Sequence, residues 1–470
     1  MSNQLVKADA ARKRNKLNPN SLAGSLVNGG PMVWISCIIM GFGNIVAGQF
    51  IKGLMFLAIE IGIIYFMCMP KGGFFDIKQL PGLGDREHIE VWNEDIMGYE
   101  YIQFTESWKL LLFGILAILM IFVFIFMWQV SVRSGHLALI QRRTEKKVNS
   151  FWKDIKDLFD KNLHKLLMSI PFICLMIFTV LPLVYMISMA FTSYGRVPGG
   201  ADNTYMFEWV GLDVFKSFFQ SGSKLGSQFW SVLGWTLIWA FFATFLNFFF
   251  GTFVAMMINR PTTKLKGLWR TIFSLTIAVP QFVSLLLIKN MFDGNGVING
   301  LLKEWNFIDK SVNFLGNIQN PNSTRIFVIV INLWVGIPYT IMQVTGILKN
   351  IPGDLYEAAR IDGANVVQQF MNITLPYMIF VMTPYMITSF TGNINNFNVI
   401  FLLTGGAPTQ IGNTAGDTDL LVTWLYKMSM DNKRFNVSAV IGIFTFIILA
   451  VVSLVTYRST GSYKDEEGFK

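Results

Sequence analysis

Charge, cysteine and histidine are all scarce in this chain of 470 residues. Charged residues make up 14% of it, against about 25% in soluble globular proteins, which excludes an ordinary water-soluble domain. The three cysteines, Cys37, Cys68 and Cys174, lie in or beside apolar segments and form no C-x-x-C pair, so neither a disulfide framework nor a zinc site is indicated. The three histidines, His88, His136 and His164, are scattered, and neither an HExxH motif nor a G-x-x-x-x-G-K-[ST] phosphate cradle occurs. No catalytic residue and no metal ligand is therefore assigned, and the chain is expected not to be an enzyme. The first thirty residues are polar and basic (Lys7, Arg12, Lys13, Arg14, Lys16) and do not read as a cleavable signal peptide.

Apolar surface is abundant. Hydrophobic residues reach 53%, with 43 Phe, 24 Met and 13 Trp, and the mean hydropathy is +0.47. A spanning helix needs about 20 predominantly apolar residues. Eight segments qualify: 51–69, 109–130, 166–190, 228–258, 268–290, 323–348, 371–391 and 436–457. An all-α polytopic membrane protein with eight transmembrane helices is expected. An earlier run, 32–47, is broken by Gly41, Gly43, Asn44 and Gly48 and reads as interfacial or re-entrant.

Loop charges set the orientation. The N-terminal tail, loop 131–165 (Arg133, Arg142, Arg143, Lys146, Lys147, Lys153, Lys156, Lys161, Lys165) and short loop 259–267 (Arg260, Lys264, Lys266) are basic. Loop 70–108 between them is acidic, from Asp76 to Glu106. With an even number of spans, both termini and the basic loops fall in the cytoplasm. The net charge of +9 is thus membrane anchoring rather than nucleic-acid binding. The expected organisation is a basic tail and interfacial segment (1–50), two spans with their acidic and basic loops (51–165), a six-span core (166–457) and a short cytoplasmic tail (458–470). Lys52 and Lys289 lie near span ends, where they can snorkel. Glu60 lies mid-span: it is a functional candidate by position, with pairing to a neighbouring helix as the plainer reading.

The segment 349–376 carries the functional argument. Asp354 with Glu357 three residues on suits a capping box, and Gly363 suits the left-handed residue that ends a short helix. A second helix is expected from Asn365 towards Leu375, with Pro376 breaking the pattern. The same residues resemble the coupling motif of ABC importer permeases: EAA, three residues, Gly, nine residues, I-x-L-P. Glu357, Ala358, Ala359, Gly363, Ile373, Leu375 and Pro376 match every fixed position. The resemblance implies type I ABC importer permease architecture and docking of the first helix in a cleft on a separate ATPase subunit. It also implies no cofactor bound by this chain, ATP and Mg being used by the partner ATPase.

From about residue 166 onwards the chain is similar to the maltose-type permeases, the larger of two unlike subunits in oligosaccharide importers. The stretches that carry this are Leu333 to Tyr339, the coupling loop, Ser389 to Phe397 and Thr418 to Val422. The resemblance implies a second permease subunit, two ATPase copies, an extracellular solute-binding protein and residence in the cytoplasmic membrane of a bacterium. The large folded domain that some members carry between spans three and four is absent from loop 191–227.

Ser389, Asn393 and Asn396 fall at i, i+4 and i+7, and Gly336 and Tyr339 at i and i+3, each set on one helical face. These positions match ones that contact sugar in the maltose-type family. Asn offers hydroxyl-directed donors and acceptors, and Tyr339 offers an aromatic face. Gly392 departs from an aromatic found in some relatives. The plainer reading is polar side chains joining helices. Maltose and maltodextrins are the first expected substrates, galacto-oligosaccharides the second. An ion-coupled secondary transporter is the rival from another class. It requires several buried carboxylates, of which Glu60 alone is a candidate. A membrane enzyme or lipid-handling protein requires clustered polar catalytic residues, which the sequence lacks.

Overall fold

A computed structural model describes residues 21–70, 72–84, 90–94, 97–101, 106–145, 148–196, 202–260 and 262–458. The basic residues Lys7 to Lys16, the C-terminal tail from 459, and Asp85, Glu87 and Asp95 of the acidic loop lie outside the described residues. The chain divides into two compact units: residues 1–194 with 202–209, and residues 195–201 with 210–470.

The first unit holds α1 (Phe50–Cys68), α2 (Ser107–Glu145), α3 (Phe151–Phe159) and α4 (Leu163–Met189). The run 32–47 forms two short helices, Gly30–Ser36 and Phe42–Ala47, on either side of a turn at Gly41 with φ of +81°. A Cβ at Gly41 would strike the Gly53 backbone, so only glycine allows this close approach. The turn closes on polar side chains: the Met40 N–H donates to Glu60 Oε2 (2.8 Å) and the Gly41 N–H to Ser131 Oγ (2.8 Å). The buried Glu60 carboxylate thus satisfies backbone that the apolar surroundings cannot.

The second unit contains α5 (Lys224–Asn259), α6 (Lys266–Ala278), α7 (Gln281–Met291), α8 (Pro321–Asn350), α9 (Gly353–Ile361), α10 (Val366–Ile394), α11 (Leu421–Met430) and α12 (Phe435–Arg458). Helix α5 is central and packs on α8 and α10. Between Ala240 and Ala255 its buried residues are small (Ala240, Ala243, Thr244, Gly251, Thr252 and Ala255), which lets neighbouring helices approach closely. A Cβ on Gly251 would clash with Thr340 of α8. The opposite face carries Phe241, Phe245, Phe249 and Phe253 at intervals of one turn, all exposed, as lipid contact requires.

Among the described residues seven continuous helices are long and apolar enough to cross a membrane. The segment expected as one span over 268–290 is instead α6 and α7, bent by 88°. Pro280 explains the bend. It cannot donate a helical hydrogen bond, and it forces Val279 into extended backbone (φ −76°, ψ 125°). The connection 392–435 between the last two expected spans is also partly helical, holding Phe397–Leu403 and α11.

That connection is pinned by polar contacts. Gln228 Oε1 on α5 accepts from the Thr414 N–H (2.8 Å) and the Ala415 N–H (3.0 Å). Asp419 is fully buried and accepts from the Gly416 N–H (2.7 Å), the Thr423 hydroxyl (2.9 Å) and Lys427 Nζ (2.7 Å). Burial pushes its carboxyl above the ordinary range, and Lys427 pulls it part of the way back. Asp419→Ala would leave Lys427 largely buried without its partner. We expect a loss of about 3–5 kcal/mol, read as a lower unfolding temperature of the detergent-purified chain.

Candidate functional site

Two buried apolar clusters bracket the middle of the second unit. One gathers Trp235, Trp239, Ala243, Val328 and Ile331 with Val399 to Leu403. The other gathers Ala255, Ile258, Ile341, Val344, Met378 and Met382. Along α5, α8 and α10 several polar residues stand between these clusters, and there a cavity of about 200 Å³ opens, lined also by Phe248, Val335 and Met386. Its walls include Thr244 and Asn247 of α5, Asn332, Gly336 and Tyr339 of α8, and Tyr385, Ser389 and Asn393 of α10. Gln281, at the start of α7 just past the bend, and Asn396 complete the polar lining. None of its lining residues is charged.

All five residues expected to meet substrate (Gly336, Tyr339, Ser389, Asn393 and Asn396) line this one cavity. Their local setting differs from the expectation at Asn396. Helix α10 ends at Ile394, so Asn396 is not on the same helix as Ser389 and Asn393. It caps the next helix instead, its Oδ1 accepting from the Val399 N–H (3.3 Å), the role for which asparagine is favoured. Asn393 bridges helices: its Nδ2 donates to Thr244 Oγ1 (3.0 Å), and its Oδ1 accepts from Asn396 Nδ2 (3.3 Å). Its backbone carbonyl also accepts from Trp239 Nε1 (3.1 Å). The Asn393–Asn396 pair is therefore held in place from both sides.

Pro338 and Pro384 lie inside α8 and α10, and each is followed by a cavity tyrosine, Tyr339 and Tyr385. A proline there removes one i to i−4 bond and loosens the helix locally. Gly336 acts through space rather than through its backbone angles: a Cβ there would collide with the Asn247 carboxamide. Asn247 Oδ1 and Asn332 Nδ2 are both buried without a hydrogen-bond partner. Both residues line the cavity, so its wall carries one buried acceptor and one buried donor with unfilled hydrogen-bonding capacity. Asn247, Asn332, Thr244, Gln281 and Tyr385 were not singled out by sequence reasoning. An asparagine in an otherwise apolar span was the available signal.

The coupling segment forms a helix–turn–helix. Helix α9 begins after Pro352, and no side chain caps it. The capping box expected of Asp354 is absent because Pro352 occupies the cap position and Asp354 falls inside the first turn. The C-terminus is as expected: Gly363 has φ of +80°, the Gly363 N–H bonds the Arg360 carbonyl (3.1 Å), and the Ala364 N–H bonds that of Ala359 (2.8 Å), a Schellman ending. Asn365 and Gln368 then form a reciprocal capping box for α10. Pro376 does not break this helix. A π turn over Phe370–Thr374 precedes it and absorbs the missing N–H, so Ile373, Leu375 and Pro376 lie on the helix that runs on to Ser389 and Asn393. Tyr356 and Thr374 share a hydroxyl hydrogen bond of 2.8 Å, tying α9 to the base of α10.

Glu357 and Ala358 are exposed, Ala359 is half-buried, and Leu355, Ile361, Val366, Val367 and Met371 are exposed around them. Exposed apolar side chains thus accompany the motif on both helices of the turn.

Comparison with known proteins agrees with this architecture. Residues 247–461 match the family model for the binding-protein-dependent transport system inner membrane component. The chain is 32% identical over 431 residues to the galactooligosaccharides transport system permease protein GanP of Bacillus subtilis, covering 91% of this chain and 97% of that one. It is 31% identical over 440 residues to the maltodextrin transport system permease protein MdxF of the same organism, covering 92% and 95%. A crystal structure of a bacterial alginate ABC transporter, in complex with an alginate pentasaccharide-bound periplasmic protein, matches with a TM-score of 0.51 at 26% identity, over 65% of this chain and 95% of that one. This chain belongs to the family of binding-protein-dependent transport system inner membrane components, among the permeases of ABC sugar importers.

Proposed function

We propose that the chain is the non-catalytic permease subunit that carries a neutral oligosaccharide through the cavity between α5, α8 and α10. Maltodextrin is the first substrate, and the likeness to the galactooligosaccharide permease favours galacto-oligosaccharide as the second. The observation that carries the reading is the lining itself: amides, hydroxyls and two tyrosine rings beside Phe248, Val335 and Met386, with no charged residue. Amides and hydroxyls pair with sugar hydroxyls, and aromatic faces cover sugar C–H surfaces. A carboxylated sugar would enter this cavity without a charge partner, at a large desolvation cost. Alginate, an acidic polysaccharide carried by the structurally similar transporter, is therefore a poor substrate on this reading.

In this account α6 and α7 together make the eighth crossing, and both termini lie in the cytoplasm of a bacterial cell. A second permease completes the pathway, and a solute-binding protein delivers sugar from outside. Two ATPase subunits, which bind the ATP and Mg, dock on α9. Glu357, Ala358 and Ala359 form the docking face, Gly363 the turn, and Ile373, Leu375 and Pro376 the stem of α10.

Affinity purification of the tagged chain in mild detergent, with mass spectrometry of the eluate, tests the assembly. An ATPase and a second permease are expected, and a transport-competent single chain would return the ion-coupled reading to first place. Gly392, next to Asn393 but exposed and outside the cavity lining, tests whether the sugar path extends along α10 beyond the cavity. No atom lies within 4 Å of a Cβ placed there, so Gly392→Phe should fold normally. It should shift the apparent sugar affinity in uptake assays, and unchanged affinity would place the sugar path away from Gly392.

A further inference from the structure

The strongest feature that transport does not use is α3. Its nine residues place Phe151, Trp152, Ile155, Leu158 and Phe159 on one arc and lysines and aspartates on the other. Phe151 and Ile155 are half-buried, but Trp152 is 73% and Phe159 60% exposed. The polar side is tethered within the same unit: Asp154 accepts from Lys52 Nζ (2.9 Å) and Gln49 Nε2 (3.3 Å), at the first turn of α1. Only Asp160, Lys161 and Asn162 separate α3 from the apolar helix α4. Connectivity at one end and the tether to α1 at the other thus hold α3 where two spanning helices begin.

Charge identifies what covers the exposed arc. Between Arg142 and Lys165 the sequence has eight basic and four acidic residues, a net +4 (8 − 4). Two of those acids are already engaged, Asp154 by Lys52 and Asp157 by Lys161 (3.5 Å). Lys153 and Lys156 have no ion pair among the described residues. A short helix with an aromatic arc flanked by free lysines, fixed at the level of span ends, fits the boundary between acyl chains and anionic headgroups. We propose that α3 lies in the membrane interface and binds anionic phospholipid. Trp152 and Phe159 enter the acyl boundary, and Lys153 and Lys156 hold the headgroup phosphates.

The test uses the complete importer assembly in nanodiscs of phosphatidylcholine with phosphatidylglycerol, with bromine on the chains of one lipid or the other. The emission of Trp152 is the difference between the wild type and Trp152→Phe. Brominated phosphatidylglycerol should quench it more than brominated phosphatidylcholine, because each lysine near the surface enriches anionic lipid about fivefold. The Lys153→Gln, Lys156→Gln double variant should lose that preference while keeping quenching by both lipids. Equal quenching by the two lipids in the wild type overturns the anionic site. A Trp152 signal untouched by either lipid, or shielded only when the ATPase subunits are bound, overturns the membrane placement and makes this arc a protein interface.

Discussion

Gly336→Val is expected to abolish sugar uptake while the importer still assembles. The added side chain meets the Asn247 carboxamide across the α5–α8 contact and takes up part of a cavity of only about 200 Å³. Overpacking of this kind costs about 1–3 kcal/mol of stability, less than a helix bundle of this size needs to unfold. The transport loss should be far larger, well beyond tenfold, which corresponds to about 1.4 kcal/mol. Gly336→Ala should lie between the two, because a single methyl already strikes Asn247. The readouts are uptake of labelled sugar and recovery of the assembly on the same preparations. Unimpaired uptake by Gly336→Val would mean that sugar does not pass between α5 and α8.

Glu357→Ala should cut uptake by more than about tenfold with almost no effect on folding. Glu357 is exposed, and no side chain caps α9, so its removal takes no capping bond from the helix. Surface substitutions of this sort usually change stability by less than about 0.5 kcal/mol. What it removes is a polar contact on the face proposed to meet the ATPase. ATP hydrolysis should then cease to respond to sugar and binding protein, and less ATPase should be recovered with the chain. Normal uptake at normal expression would remove Glu357 from the coupling role and leave the apolar rim of Leu355, Ile361 and Val366 as the docking surface.

The spanning helices were legible because about 20 consecutive apolar residues leave little alternative. The bend between α6 and α7 was not, since hydropathy averaged over 268–290 does not register that Pro280 forbids a straight helix. The coupling turn was readable at Gly363, where only the left-handed conformation closes the helix, and misread at Asp354, where Pro352 had already taken the cap. Pro376 was misread for a related reason. A proline inside a helix is tolerated when a π turn precedes it, and that turn leaves no mark in the sequence.

The five cavity residues were found by matching positions to a family. Their partners were hidden because they depend on contact between distant segments. Asn247 and Asn332 are isolated amides in the apolar middle of their helices, and the same pattern describes residues that merely join helices. What distinguishes them is that both line the cavity, and Oδ1 of one and Nδ2 of the other are buried without a hydrogen-bond partner. Asn393 is both at once, lining the cavity and bonded to Thr244.

On the proposed function, this cavity passes neutral oligosaccharide under the control of a separate ATPase. The direct measurement is uptake into proteoliposomes containing the purified importer, with its binding protein outside and ATP inside. Labelled maltodextrin, galacto-oligosaccharide and alginate oligosaccharide are compared. ATP-dependent accumulation of a neutral sugar is expected, and none of alginate. Accumulation of alginate, or of any sugar on an ion gradient without ATP, would contradict it.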